Sequence, residues 1–493
     1  MQALVQDRKS SRVIIFSFIV LLIIAASWAI ASNRAPGVGL DGDGGYSADS
    51  ALRVSASVDE QIQTLQDRLR ADPNDWQSYS QLALAYLQKA RETGDPSYYQ
   101  KVEEALNKTI EQQSDDYVTV STMGALALAR HQFHSALEWG ERAKQLDPDR
   151  TYAYGVIADA QIELGQYDAA IETLQTMVDL RPDMSSYSRI SYIRELNGDT
   201  EGALEMMQYA VDAGVPNAES TAWTRTQLGN LYFNSGNLEQ AELEYVRTLN
   251  DRPGYIYALA ALGRVRAAQG KTGEAIELLT QATNVMPLPE FVITLGDIYQ
   301  ANGQPDAAQK QYSLVSAIEQ LHNANGVDMD MEIALFNADQ NKDLEATVEQ
   351  ARQAYANRPS IHAADVLAWA LYKTGDYDEA RTYSEEALQL GTKDALKLFH
   401  AGMIAYRLGD NAQAQEYLQQ ALEINPHFSI LYSNEALQTL DLLKAQGDQE
   451  CVIIFGAAPL PSSQACGWHS LCPRRHGHTR LATSRSIILP GCM

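Results

Sequence analysis

The sequence predicts an all-α chain, a solenoid of stacked helical pairs behind one N-terminal transmembrane helix. Three observations predict it. A Gly-x-x-x-x-Ala element recurs at a near-constant step. An uncharged apolar run stands at residues 13–33. No sequence motif of a catalytic centre interrupts the 493 residues.

The elements follow in order. Residues 1–12 hold Arg8, Lys9 and Arg12. The run after them begins VIIFSFIVLLII, and its apolar side chains contribute about −3 to −7 kcal/mol on an insertion scale. An uncharged segment of that length spans a bilayer core. The preceding cations keep residues 1–12 cytoplasmic and send the body across, to the periplasm or cell surface. Ala29-Ile30-Ala31 also has the small-x-small form of a signal-peptidase site, so a secreted, cleaved chain is the competing reading. Residues 34–58 have the Gly, Ser, Ala and Asp composition of a flexible linker. The Asp41-Gly42-Asp43 start of a calcium loop within it lacks the Glu that such a loop needs at its twelfth place.

Residues 59–449 form the repeat array. Residues 59–71 read as an isolated front helix, and residues 429–446 as a solvating end helix. Between them an Ala recurs at 136, 170, 203, 241, 275, 308, 346, 380 and 414, with Val102 one step earlier. The steps run from 33 to 38 residues. Ala136, Ala241 and Ala346 are evenly spaced, which suggests duplication of a three-repeat block. Within a unit, small and large apolar residues at helical spacing come first, as in Leu228-Gly229 and Tyr232. A turn bearing Gly or Asn follows, then the helix with the Ala. Pro148, Pro182, Pro253, Pro287 and Pro426 close units, because proline cannot continue the preceding helix. The Gly and Ala positions must be small for paired helices to touch. The unit near 327 fits poorly, with Asn337 and Gln350 at apolar places.

About ten units over residues 76–427 resemble the tetratricopeptide repeat, whose motif is W-x2-L-G-x2-Y…A-x3-F…A…P. In the best match Leu228, Gly229, Tyr232, Ala241, Tyr245 and Pro253 fall on motif positions. The resemblance implies a right-handed superhelix whose first helices line a concave, peptide-binding groove. Carried onto this chain, it places Tyr152, Tyr192, Trp223, Asn230, Phe233, Tyr257, Arg264, Trp369, Tyr372 and Tyr406 in that groove. Some members clamp a carboxylate terminus with paired Lys and Asn. Only Asn230 and Arg264 are suitable here, so a clamp for acidic chaperone termini is not supported.

Composition narrows the function. There are 38 Lys and Arg against 63 Asp and Glu, for a net charge of −25. Nucleic-acid affinity needs clustered cations, so no nucleic-acid partner is expected. All four cysteines lie at 451–492, in a segment with no Asp or Glu, so the body before it carries −29. Residues 450–493 read as an atypical, disordered or frame-shifted tail, since Cys466, Cys472 and the nearby histidines match no common zinc spacing. His131 and His134 read as exposed turn residues without an HExxH context. No phosphate-binding GK[ST] loop and no G-x-S-x-G occurs. The expectation is a non-enzymatic, membrane-anchored scaffold for a protein or peptide partner, with no cofactor or metal. The regulatory or substrate-binding part of a glycosyltransferase-like assembly is the alternative.

Overall fold

The structure, a computed structural model, describes residues 57–455. They form 22 α-helices and no strand. The predicted membrane segment 13–33, nearly all of the linker and most of the tail lie outside the described residues. Among the described helices none is long and apolar enough to cross a membrane.

Helix α1 (Val58–Ala71) opens the stack. Ser57 and Glu60 close a capping box at its start, each accepting from or donating to the other's end of the turn. Ten helical pairs follow: α2 (Trp76–Thr93) with α3 (Ser97–Gln112), α4 (Tyr117–Ala129) with α5 (Phe133–Leu146), α6 (Thr151–Glu163) with α7 (Tyr167–Leu180), α8 (Met184–Leu196) with α9 (Thr200–Asp212), and α10 (Glu219–Asn234) with α11 (Leu238–Asp251). The second five are α12 (Ile256–Ala268) with α13 (Thr272–Val285), α14 (Pro289–Ala301) with α15 (Pro305–Ala324), α16 (Asp330–Asp339) with α17 (Leu344–Asn357), α18 (Ile361–Thr374) with α19 (Tyr377–Ala387), and α20 (Ala395–Arg407) with α21 (Asn411–Ile424). Helix α22 (Ser433–Phe455) ends the stack and runs six residues past the expected boundary at 449.

The small positions work as close-packing sites. A Cβ on Gly296 would lie 2.5 Å from the Tyr312 ring, and Gly229 is covered in the same way by Tyr245. Val102, Ala136, Ala170, Ala203, Ala241, Ala275, Ala308, Ala380 and Ala414 are all fully buried. Ala346 is not. It is exposed, and Thr347 takes the buried place. The cause is the turn at 340–343, which holds one residue more than the turn at 164–166. Asn341 and Asp343 adopt positive φ there. The even spacing of Ala136, Ala241 and Ala346 therefore does not mark equivalent positions, and the block-duplication reading loses its support.

The two helices of a pair differ in burial. In α6, 11 of 13 residues are buried; in its partner α7, 5 of 14 are. A helix apolar on every side must be covered on every side. The second helices cover one side of the first. The other side is covered by the chain itself, because the stack coils round and meets its own later repeats. Hydrogen bonds join residues 192 to 197 apart along this seam.

Candidate binding site along the seam

Five successive turns, each between the two helices of a pair, sit on five successive loops of the later repeats. At the first, Gly94 packs on Met286. At the second, Arg130 O accepts from Asp328 N at 3.1 Å, His131 Nδ1 donates to Asp328 O, and Gln132 Nε2 donates to Gly326 O at 3.3 Å. At the third, Tyr167 Oη accepts from Ile361 N at 2.7 Å, while Gly165 lies against Pro359 O. At the fourth, Gly198 lies against Gly391 O. At the fifth, Asn425 Nδ2 donates to Phe233 O at 2.9 Å. His131 is thus a correction: it is buried, with φ 60°, and holds the seam, whereas His134 is exposed as expected. A buried backbone carbonyl needs a donor, and the imidazole supplies it.

The seam carries charge as well. Arg358 donates to both Glu332 oxygens at 2.9 and 3.0 Å and lies 3.9 Å from Glu163 across the seam. Burial pushes the Glu163 carboxyl up to about 7, with Arg358 opposing. Burial also works to raise Glu332, but Arg358 and His131 outweigh it and hold that group below its usual value. Burial lowers the His131 imidazole to about 4. Further along, Glu195 accepts from Asn234 at 3.2 Å and is pushed by burial up to about 7.

The ten residues expected in a concave groove divide evenly. Tyr192, Trp223, Phe233, Tyr257 and Trp369 are buried, Trp369 completely. The open surface expected for them is absent: Tyr192 and Tyr257 meet repeats across the seam, and Trp223 and Trp369 pack on neighbouring pairs. Tyr192 Oη pairs with His362 Nε2 at 3.0 Å across the seam. Tyr257 Oη donates to Arg91 O at 3.4 Å. Trp369 Nε1 donates to Asp339 at 2.8 Å and its ring stacks between Tyr372 and His400. Tyr152, Asn230, Arg264, Tyr372 and Tyr406 are half-buried.

Arg264 stands apart from the other four. Its guanidinium lies 4.3 Å from the centre of the Phe233 ring. Its Nε and Nη2 are covered and meet no hydrogen-bond acceptor among the described residues. Burial lowers its pKa, with only Tyr245 acting against that. Tyr245 Oη donates to Asn230 Oδ1 at 2.7 Å, and Asn230 Nδ2 donates to Gln227 Oε1 at 3.1 Å. Phe233 and Asn230 share one face of α10, three residues apart. Arg189 makes the contrast. It is buried too, but Asp159 receives it at 2.9 and 2.8 Å. Sequence reasoning placed Arg264 in the site; its missing counter-charge could not be read from spacing.

No group of three His, Cys, Asp or Glu among the described residues converges to hold a metal.

This is the architecture of a helical-repeat scaffold. Family models described as tetratricopeptide repeat match residues 127–190, 226–286, 360–401 and 395–428, so the chain carries tetratricopeptide repeats. It is 25% identical over 178 residues to anaphase-promoting complex subunit 7 of Arabidopsis thaliana, covering 35% of this chain and 31% of that one. It is 21% identical over 319 residues to cellulose synthase operon protein C of Komagataeibacter sucrofermentans, covering 61% of this chain and 22% of that one. The chain therefore spans a third or less of these curated relatives. Among solved structures it is similar to YrrB, described as a tetratricopeptide-repeat protein with an unusual peptide-binding site, at 21% identity, 37% of this chain, 93% of that one and a TM-score of 0.26. It is also similar to the Cut9–Hcn1 hetero-tetramer of the anaphase-promoting complex, at 13% identity, 86% and 98% coverage and a TM-score of 0.34.

Proposed function

We propose that the chain is a non-enzymatic scaffold that binds a segment of a partner protein beside α10 and α12, tethered to a membrane through residues 13–33. Its N-terminus is cytoplasmic and its repeat body extracytoplasmic. Tethering raises the local concentration of the scaffold near membrane partners without any new contact.

The observation that carries the binding site is Arg264. A covered cation without a counter-charge is expensive, on the order of several kcal/mol. A carboxylate on the bound segment removes that cost, and Asn230 stands near as a second polar contact. The five buried aromatics hold the fold in this reading, and the half-buried Asn230 and Arg264 face the partner. The acidic body steers basic or neutral partners at long range, and salt weakens that steering. Similarity to subunits of multi-protein assemblies supports a part in a larger complex.

Peptide binding tests the site. Fluorescence anisotropy with peptides ending in a free carboxylate should show binding that C-terminal amidation weakens. Arg264→Met should weaken it at least tenfold while raising stability by about 1–4 kcal/mol, because an apolar side chain replaces an unpaired buried charge. Unchanged affinity in Arg264→Met sinks the site. The anchor is tested separately by N-terminal sequencing of the mature chain. A start at Ser32 refutes tethering and leaves a secreted scaffold.

A further inference from the structure

The seam also forms a cavity of about 110 Å³, partly open to solvent, between the α2–α4 end of the stack and the start of α14, with Glu290 half-buried in it. That is room for several waters, each of which needs about 10–15 Å³ on this measure. Its wall is mostly apolar, with Leu87, Leu288 and Met329 among the residues that form it. Glu290 lies in this wall, in the first turn of α14. No side chain among the described residues donates a hydrogen bond to its carboxylate, and no Lys or Arg pairs with it. Its own backbone N–H is the one group that favours the charged form.

The other polar groups of the wall cannot neutralise it. His131 and His322 each lie with Nδ1 against a backbone carbonyl, Asp328 O and Ile318 O. That contact makes Nδ1–H the donor and leaves Nε2 as an acceptor. Burial lowers both imidazoles, so neither carries charge at pH 7. Arg91 lines the cavity too: its Nη1 is committed to Glu219 and its Nη2 to Gln88, while its buried Nε meets no acceptor among the described residues. The Tyr99 and Tyr257 rings complete the wall. The cavity therefore offers the Glu290 carboxylate, the Arg91 guanidinium neutralised by Glu219, neutral acceptors, aromatic rings and aliphatic surface. A metal ion does not fit, since no three metal-ligating side chains converge among the described residues.

We propose that this cavity binds a small alkylammonium ion, with the ammonium on the Glu290 carboxylate and the alkyl stem against Leu87, Leu288 and Met329. The ammonium supplies the counter-charge that the protein withholds. The aromatic rings favour a cation over a neutral alcohol of the same size. Burial otherwise pushes Glu290 up to about 7. This site is independent of Arg264 and of the partner-binding reading.

Isothermal titration calorimetry of the full-length chain with n-butylammonium chloride tests it, against sodium chloride at equal ionic strength. One saturable site per chain is expected. Glu290→Gln should weaken it at least tenfold. Ala129→Leu, which fills the cavity and keeps the carboxylate, should abolish it. Circular dichroism confirms that each variant is folded. Absence of saturable binding to the unaltered chain overturns the proposal whatever the variants do, and so does equal affinity in folded Glu290→Gln. Tighter binding of N-acetyl-lysine amide than of n-butylammonium overturns the assignment to a free ion.

Discussion

The first five pairs and the second five are built alike but end differently. In the first five, the turns within pairs are seated on later loops, and the loops between pairs face solvent. In the second five the arrangement reverses. Gly270, Gly303 and Gly409 have positive φ like Gly198 and Gly236, yet nothing lies within 4 Å of the place a Cβ would take. The loops follow suit. The solvent-facing ones read Asp72-Pro73-Asn74-Asp75, Ser114-Asp115-Asp116 and Asp147-Pro148-Asp149-Arg150. The seated ones carry buried Met286, Val327, Met329, Arg358, Thr392, Asn425 and Phe428. A repeat's local sequence serves its own pair, and its end residues serve whatever the coil brings against them.

The largest expected effect separates seam from surface. Arg358→Ala leaves Glu332 and Glu163 facing each other, buried and without a cation. It should cost about 3–5 kcal/mol. Arg352 pairs with Glu379 at 2.6 and 2.7 Å in similar geometry, but both side chains are more than a third exposed. Arg352→Ala should cost at most about 1 kcal/mol. Urea unfolding of both variants makes the comparison. Equal losses would dissolve the distinction between the two regions.

A smaller effect comes from the glycines. Gly198→Ala pays the left-handed backbone cost of about 1–2 kcal/mol and also overpacks against Gly391, for about 1–3 kcal/mol more. Gly303→Ala pays only the first. Hydrogen exchange at the Ile361 amide, bonded to Tyr167 across the seam, sharpens the test. Exchange there should quicken in Gly198→Ala and stay unchanged in Gly303→Ala.

Much of this was legible in the sequence and some was not. The helical pairs were, because each depends on contacts within about 34 residues, and the Ala series records them. Asn230 and Arg264 were named as groove positions because the resemblance to the tetratricopeptide repeat implied them. The closure of the groove was not, because it depends on small rotations summed over five or six pairs. Tyr192, Phe233 and Tyr257 therefore read as open aromatics when they are seam contacts. The contrast between Asp-rich and apolar loops was a usable signal, though Asp75 and Asp116 also cap α2 and α4, which explains them locally. The register shift to Thr347 was hidden by one extra turn residue.

The two regions also differ in the sign of their pH response. Glu163 and Glu195 have folded values raised to about 7 from the usual 4.5. Their contribution is fully present below pH 4.5 and is lost as pH rises through 7. Glu242, on the outer side, is held down to about 2 by its hydrogen bond from Arg266. Its contribution is present above pH 4.5 and is lost as pH falls toward 2. Glu163→Gln should flatten the decline between pH 4.5 and 7, and Glu242→Gln should leave that window unchanged. Thermal melts across pH read both. A Glu163→Gln profile matching the unaltered chain would place that carboxylate outside the seam's energetics.

The seam has a consequence in time. Tyr167 waits for Ile361, 194 residues further on, before its hydroxyl gains its partner. At roughly 5–20 residues per second of synthesis, the apolar faces of the early first helices stay uncovered for about 10–40 s. The newborn chain passes through an interval in which the surface later sealed by its own repeats is open to anything nearby.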